Sequence, residues 1–391
     1  MIALLIIIYI SFISLGLPDS LLGSAWPNMQ IDLSVHLGVA GIISMIVCAG
    51  TIISSLFSNR IVSKFGTGKV TFFSVAMTAL ALLGFSFSPN IYFLFIMAIP
   101  LGLGAGSVDA ALNNFVALHY KAKHMNWLHC FWGIGATAGP IIMSIFLGLN
   151  GGWRTGYATI GIIQVILVLV LFFTLPLWKK AENKNTVSTE TENKVLSNRE
   201  ALKIPNIKLA LIAFTFFSAT EVTVGLWSSS YLVMIKGLST IEAARWASYF
   251  YMGITIGRFL SGVFSIKLKS NVLIRIGQLL CLCAVFLLLL PLHTQFSMVA
   301  LILIGLGTAP IFPSMLHETP NRFGKEVSQS IMGLQMASAY IGSTFFPPLF
   351  GAIASVISMK VFPYFLLCCV LIMFIASEVL QKKLNTREQA N

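Results

Sequence analysis

Long apolar runs alternate with short polar breaks along the whole chain. Runs of about 20 residues, the length a helix needs to cross bilayer hydrocarbon, fall at 1–27, 36–58, 69–88, 90–119, 125–149, 154–178, 206–235, 240–266, 272–293, 295–317, 325–353 and 359–381. The runs are continuous, whereas a transmembrane β-barrel needs alternation over about ten residues per strand. The pattern therefore predicts an all-α integral membrane protein of twelve transmembrane helices. No small-residue cleavage site closes a short apolar core in the first run, so it is expected to stay as a helix. One long polar segment, KKAENKNTVSTETENKVLSNREALK, separates the sixth run from the seventh and reads as a linker.

Composition agrees with this reading. Only 10% of residues are charged and 57% are hydrophobic, with a mean hydropathy of +0.88. A soluble domain carries about 25% charged residues. The net charge of +12 first suggests nucleic acid, but its distribution argues otherwise. Twenty of the 25 Lys and Arg residues fall in one set of alternate loops and the tail, four in the other set, and Arg258 within a span. That bias places both termini and the central linker in the cytoplasm of a cell that carries the protein in its plasma or inner membrane. No nucleic-acid partner is expected. The chain then divides into a six-helix bundle over 1–178, a cytoplasmic linker over 179–205, a second bundle over 206–381 and a tail over 382–391. The six cysteines all lie in apolar stretches without ligand spacing, so no metal site and no disulfide is expected.

The two halves repeat one another. Gly50 corresponds to Gly253, and Gly102-Leu103-Gly104 to Gly305-Leu306-Gly307, each 203 residues later. Asp19 corresponds to Glu221 and GATAGP (135–140) to GSTFFP (342–347), at offsets of 202 and 207. Two six-helix bundles related as parallel repeats imply a substrate site between them near the bilayer midplane.

Three of the 13 acidic residues lie deep in spans: Asp19, Asp109 and Glu221. A charged group at the bilayer centre costs about 2.5–3.5 kcal/mol on insertion scales. Such a carboxylate is expected to pair, bind an ion, or load and release a proton near neutral pH. Asn113 lies one helical turn after Asp109, and an amide beside a carboxylate suits a polyhydroxylated ligand. Pro18 before Asp19 removes an N–H and predicts a kink there. Arg258 is expected to act in gating or in holding the fold together. Trp26, Trp132 and Trp227 are candidates for stacking on a sugar ring, and Asn114, Gln164, Gln278 and Gln335 for lining the cavity. His129 is a further titratable candidate. No nucleophile elbow, nucleotide-binding loop or zinc-protease sequence occurs, so no enzyme is expected. Uphill transport must then draw on an ion gradient, with no cofactor besides the coupling ion.

At these residues the chain resembles the major facilitator superfamily, and within it the fucose–galactose–glucose:proton symporter family that includes fucose permease. GLGAGSVDAALNNFV resembles that family's Gly-rich run, acidic residue and Asn four later, with Asp109 where the family usually has Glu. LPDSLL is similar to its Asn-Asp-x-Leu-Leu, and GITIGRFLSG to its Gly-Arg stretch. The resemblance implies sugar recognition by Asp19 and proton coupling by Asp109, in a proton-coupled monosaccharide symporter working by alternating access. Sodium-coupled relatives make sodium the alternative ion. In NRIVSKFGTGK, Ser63 stands where the superfamily's loop has Asp, while Lys64 keeps its place as a gating residue. GATAGP resembles the Gly-x-x-x-Gly-Pro of drug–proton antiporters, so proton-driven efflux of drugs, sugars or other metabolites is the competing expectation. The expected partners are one small molecule and the lipid bilayer, around a monomer.

Overall fold

A computed structural model of the protein describes residues 2–120, 122–149, 151–182, 198–324 and 327–390. Most of the linker read from the sequence, 183–197, lies outside the described residues. The described residues are helices joined by turns. The first half holds α1 (Ile2–Asp19), α2 (Leu21–Asp32), α3 (Val39–Phe65), α4 (Thr67–Ser86), α5 (Ile91–His119), α6 (Ala122–Leu147) and α7 (Gly152–Glu182). After the short α8 (Asn198–Ala201) come α9 (Ile207–Met234), α10 (Thr240–Phe264), α11 (Ser270–Leu289), α12 (Gln295–Thr308), α13 (Ile311–His317), α14 (Thr319–Phe323), α15 (Ser328–Val356) and α16 (Phe362–Ala390).

Eleven helical segments are long and apolar enough to span a bilayer among the described residues, counting α1 with α2 and α12 with α13 as one segment each. Helix α10, the remaining span read from the sequence, carries Glu242, Arg245 and Arg258 and falls outside that set. The kink expected at Pro18 is a break: α1 ends at Asp19 and α2 begins at Leu21. Hydropathy underestimated two ends. Helix α3 runs through Arg60 and Lys64 to Phe65, and α16 runs on to Ala390. Backbone hydrogen bonds within a helix do not stop where hydrocarbon stops, so a polar turn can extend it into the interface.

Large apolar side chains such as Phe73, Leu80, Ile96, Ile166 and Phe173 are exposed. On a soluble protein they would make an adhesive patch; here hydrocarbon covers them. Contacts group the described residues into two compact units. One takes α1 to α7 together with Leu226–Met252; the other takes the described chain from Asn198 to Gly225 and from Gly253 onward. In the first unit α3 packs on α5, α4 on α5 and α7, and α1 on α6. In the second, α11 packs on α12 and α16.

The repeat seen in the sequence is a repeat of close contacts. A methyl group added to Gly50 would lie 3.0 Å from the Leu103 nitrogen and 3.2 Å from Gly102 Cα. One added to Gly253 would lie 3.1 Å from the Leu306 nitrogen and 3.1 Å from Gly305 Cα. A methyl group on Gly104 would lie 2.6 Å from the Ser74 carbonyl oxygen, and one on Gly307 2.6 Å from that of Gly277, 203 residues on from Ser74. Without a hydrophobic force between helices in lipid, backbones gain contact by approaching closely, and a side chain here would hold them apart.

Candidate functional site

Asp19 sits at the break between α1 and α2. It is exposed, while its neighbours Pro18 and Ser20 are buried. Pro18 has no N–H to offer the Ser14 carbonyl, and Gln164 of α7 takes over that role: its Nε2 donates to the Ser14 oxygen at 2.8 Å. The other end of the same amide accepts from Thr78 Oγ1 of α4 at 2.6 Å. Gln164 thus ties three helices under the break, and its side chain is 1% exposed. Gln164 was expected to line a cavity; it holds the backbone that presents Asp19.

Opposite Asp19, Trp132 of α6 donates its Nε1–H to Asp19 Oδ2 at 2.8 Å. Helices α1 and α6 come this close because their seam is glycine. A methyl group on Gly16 would strike the Trp132 carbonyl, one on Gly135 the Ile13 carbonyl, and one on Gly139 would lie 2.6 Å from the Leu17 oxygen. Gly135 and Gly139 are the two glycines of GATAGP, so that run serves this contact. In the second unit a methyl group on Gly342 would likewise strike the Thr215 carbonyl.

Asp109 of α5 is half-buried and accepts from Asn113 Nδ2 at 2.9 Å, one turn on as the spacing predicted. The same Nδ2 also donates to the Asp109 main-chain oxygen at 3.0 Å. The carboxylates of Asp19 and Asp109 lie near enough to repel one another. The N-terminal unit therefore gathers a carboxylate with an indole and a carboxylate with an amide. That set can accept hydrogen bonds from hydroxyls and donate to ring oxygens.

Other candidates lie elsewhere. Asn114 is exposed, one position off the Asp109 face. Trp26 is fully buried and donates to the Leu37 carbonyl at 3.0 Å. Trp227 is fully buried on α9. Gln278 donates to Ser377 Oγ at 2.8 Å, joining α11 to α16, and Gln335 accepts from Thr319 Oγ1 at 2.8 Å. Both glutamines are 0% exposed. Glu221 is half-buried in the second unit, where Arg258 attracts its charge. Lys64 is exposed, with its Nζ 5.4 Å from the Phe65 ring centroid. His129, one turn before Trp132, meets the Phe12 ring edge-on at 5.9 Å.

Sequence reasoning missed a second polar cluster, at the base-poor ends of the helices. Asp32 of α2 pairs with Arg154 and accepts from Trp153 Nε1 at 3.1 Å. Arg154 also donates to the Ser88 carbonyl at 3.0 Å and lies 4.3 Å over the Trp153 ring. A lone Arg in a loop otherwise poor in basic residues was the available signal.

A sequence profile described as Major Facilitator Superfamily matches residues 8–347. The glucose/mannose transporter GlcP of Bacillus subtilis is 23% identical, over 88% of this chain and 86% of its own. A glucose/galactose transporter of Brucella abortus is 24% identical over 78% and 77%. Bypass of stop codon protein 6 of Saccharomyces cerevisiae is 23% identical over 93% of this chain and 79% of its own. Among solved structures, a bacterial homologue of the human lysosomal transporter Spinster, in an inward-facing and unoccupied conformation, superposes with a TM-score of 0.75. It is 12% identical, and the match covers 97% of each chain.

Proposed function

The chain belongs to the Major Facilitator Superfamily and is a membrane transporter, and from that premise we propose that it carries a monosaccharide by proton-coupled symport with alternating access. The observation that carries this reading is the pairing of Asp19 with the Trp132 indole, beside Asp109 with the Asn113 amide. A carboxylate accepting from hydroxyls next to an indole face is a sugar-binding chemistry, and the sugar-transporter relatives support it. Asp19 and Trp132 recognise the sugar; Asp109 takes the coupling proton. Glu221 and Arg258 form a charged pair that opens and closes as the bundles alternate. The 1–178 and 206–381 bundles move as the two halves, with both termini and the 179–205 linker in the cytoplasm of the plasma or inner membrane. The GATAGP run, whose likeness to drug–proton antiporters makes proton-driven efflux the competing reading, lies in the α1–α6 seam.

The test is uptake of labelled hexoses and deoxyhexoses into proteoliposomes under an inward proton gradient and then a sodium gradient. Accumulation of one sugar under the proton gradient is expected. Sodium-driven accumulation alone would replace the ion, and no accumulation under either gradient would overturn the sugar assignment.

A further inference from the structure

The ion pair of Asp32 with Arg154 lies away from the carboxylates of the site, yet it holds the same span of the chain. Arg154 stands at the start of α7. It pairs with Asp32 at the end of α2, and it donates to the Ser88 carbonyl in the turn between α4 and α5 at 3.0 Å. Trp153 beside it is 2% exposed and donates its Nε1–H to the same Asp32 oxygen at 3.1 Å. The guanidinium lies 4.3 Å over the Trp153 ring, and Tyr157, one turn on, meets that ring edge-on at 6.0 Å. Tyr157 is buried and packs on Phe85 of α4 at 5.2 Å. An exposed ion pair alone leaves two long side chains to be ordered. Here a buried indole and a carbonyl fix the guanidinium where three segments of the chain meet.

Helix α7 grips the broken span twice. Near its start it holds α2 through Arg154 and Trp153. Ten residues on, about 15 Å by helix rise, Gln164 holds α1 through the Ser14 carbonyl at 2.8 Å and α4 through Thr78 at 2.6 Å. Ser14 lies five residues before Asp19 and Asp32 thirteen after it, so the break falls between the two grips. Where proline interrupts the ladder, backbone hydrogen bonds no longer set the angle between the half-helices, and whatever holds each half sets it instead.

We propose that Arg154, acting with Asp32, is a positioning residue for transport: it fixes the angle of α2 on α1 and thereby seats the Asp19 carboxylate against Trp132. The Ser88 contact extends the same hold toward Asp109. Ser88 Oγ donates to the Asn90 carbonyl at 2.8 Å, and Asn90 Oδ1 caps α5 by accepting from the Phe93 N–H at 3.1 Å. One guanidinium thus joins the base-poor ends of the two spans that carry Asp19 and Asp109. A binding group displaced by about 1 Å loses much of its effect even when the disturbance is remote.

The inference rests on the reading of Asp19 as the sugar contact, and one arm of its test needs no sugar. Labelling the full-length protein with fluorotryptophan gives seven indole fluorine resonances, each assigned by replacing that Trp with Phe. Asp19→Asn should move the Trp132 resonance and calibrates the shift. Arg154→Gln and Asp32→Asn should each move it as well, while the resonances of Trp178 and Trp227 stay in place. Arg275→Gln, which breaks the ion pair of α11 with α16, should move none of the three. The side chains of Arg154 and Asp32 are 38% and 45% exposed. Such a pair contributes less than about 1 kcal/mol to stability, so both variants should unfold near the wild-type temperature. In uptake, each should raise the apparent KM for the hexose that the wild type accumulates, by at most about tenfold, the limit set by removing the indole bond outright. The maximal rate should be kept. An unmoved Trp132 resonance in either variant, movement of all the resonances together, or an unchanged KM would overturn the proposal. If the wild type accumulates no hexose, the sugar assignment falls and the resonances alone decide the positioning role.

Discussion

The two repeats share their backbone contacts and differ in their charges. Gly50 against Gly102-Leu103 is matched by Gly253 against Gly305-Leu306, with nearly the same distances. Even where residues differ, small size is kept: Gly106 faces Ser54 in the first half, and Gly257 faces Ala309 in the second. The chemistry carried on that scaffold diverges. The position of Asp109 is taken in the second half by Phe312, whose ring lies 5.8 Å from Phe214 and 6.0 Å from Phe217. The position of Arg258 is taken in the first half by Ser55, which donates to the Gly106 carbonyl at 3.2 Å. Of the charges read deep within spans, one half thus holds two carboxylates, Asp19 and Asp109, and the other a carboxylate and a guanidinium, Glu221 and Arg258. Packing tolerates little change at a close backbone approach, while a side chain aimed away from the seam can change without moving a helix.

The largest effect should come from breaking the chemical asymmetry. Asp109→Asn is expected to abolish gradient-driven accumulation of the sugar while counterflow exchange persists, and Phe312→Ala should leave coupling intact. Loss of exchange as well, in a folded Asp109→Asn variant, would remove Asp109 from the coupling role. Next come the seams themselves. Gly102→Val and Gly253→Val should each destabilise the protein by about 3 kcal/mol, and thermal unfolding in detergent should show similar losses. A large loss in one and none in the other would break the equivalence of the two seams.

A smaller effect is expected at the indoles. Trp132→Phe removes the donor to Asp19 and should weaken apparent sugar affinity about tenfold, as for a hydrogen bond to a charged group. Trp26→Phe removes a bond to a carbonyl at a buried position and should lower stability by about 1 kcal/mol without changing that affinity. If both variants bind sugar equally well, Trp132 is a packing residue. The smallest effect belongs to Arg275 and Glu378, a bidentate pair at 2.6 and 2.7 Å whose side chains are 54% and 35% exposed. A double-mutant cycle there should return less than about 1 kcal/mol.

The sequence alone was enough for the helices, the repeat and the Asp109–Asn113 pair. Each depends on spacing within one helix, or on apolar length set against a bilayer of known thickness. The break at Asp19 was legible too, because proline removes its own N–H whatever surrounds it. Tertiary structure alone decided what the four-residue rule cannot reach. It joined Asp19 to Trp132 across 113 residues, and it sent Gln164 to the carbonyl that Pro18 leaves open. It buried Gln278 and Gln335 as ties within the second unit, although a polar residue in an apolar run reads the same whether it faces a cavity or a neighbouring helix. Facing is set by which backbones approach, and that is settled by glycines on different helices, such as Gly50 and Gly102 or Gly16 and Gly135.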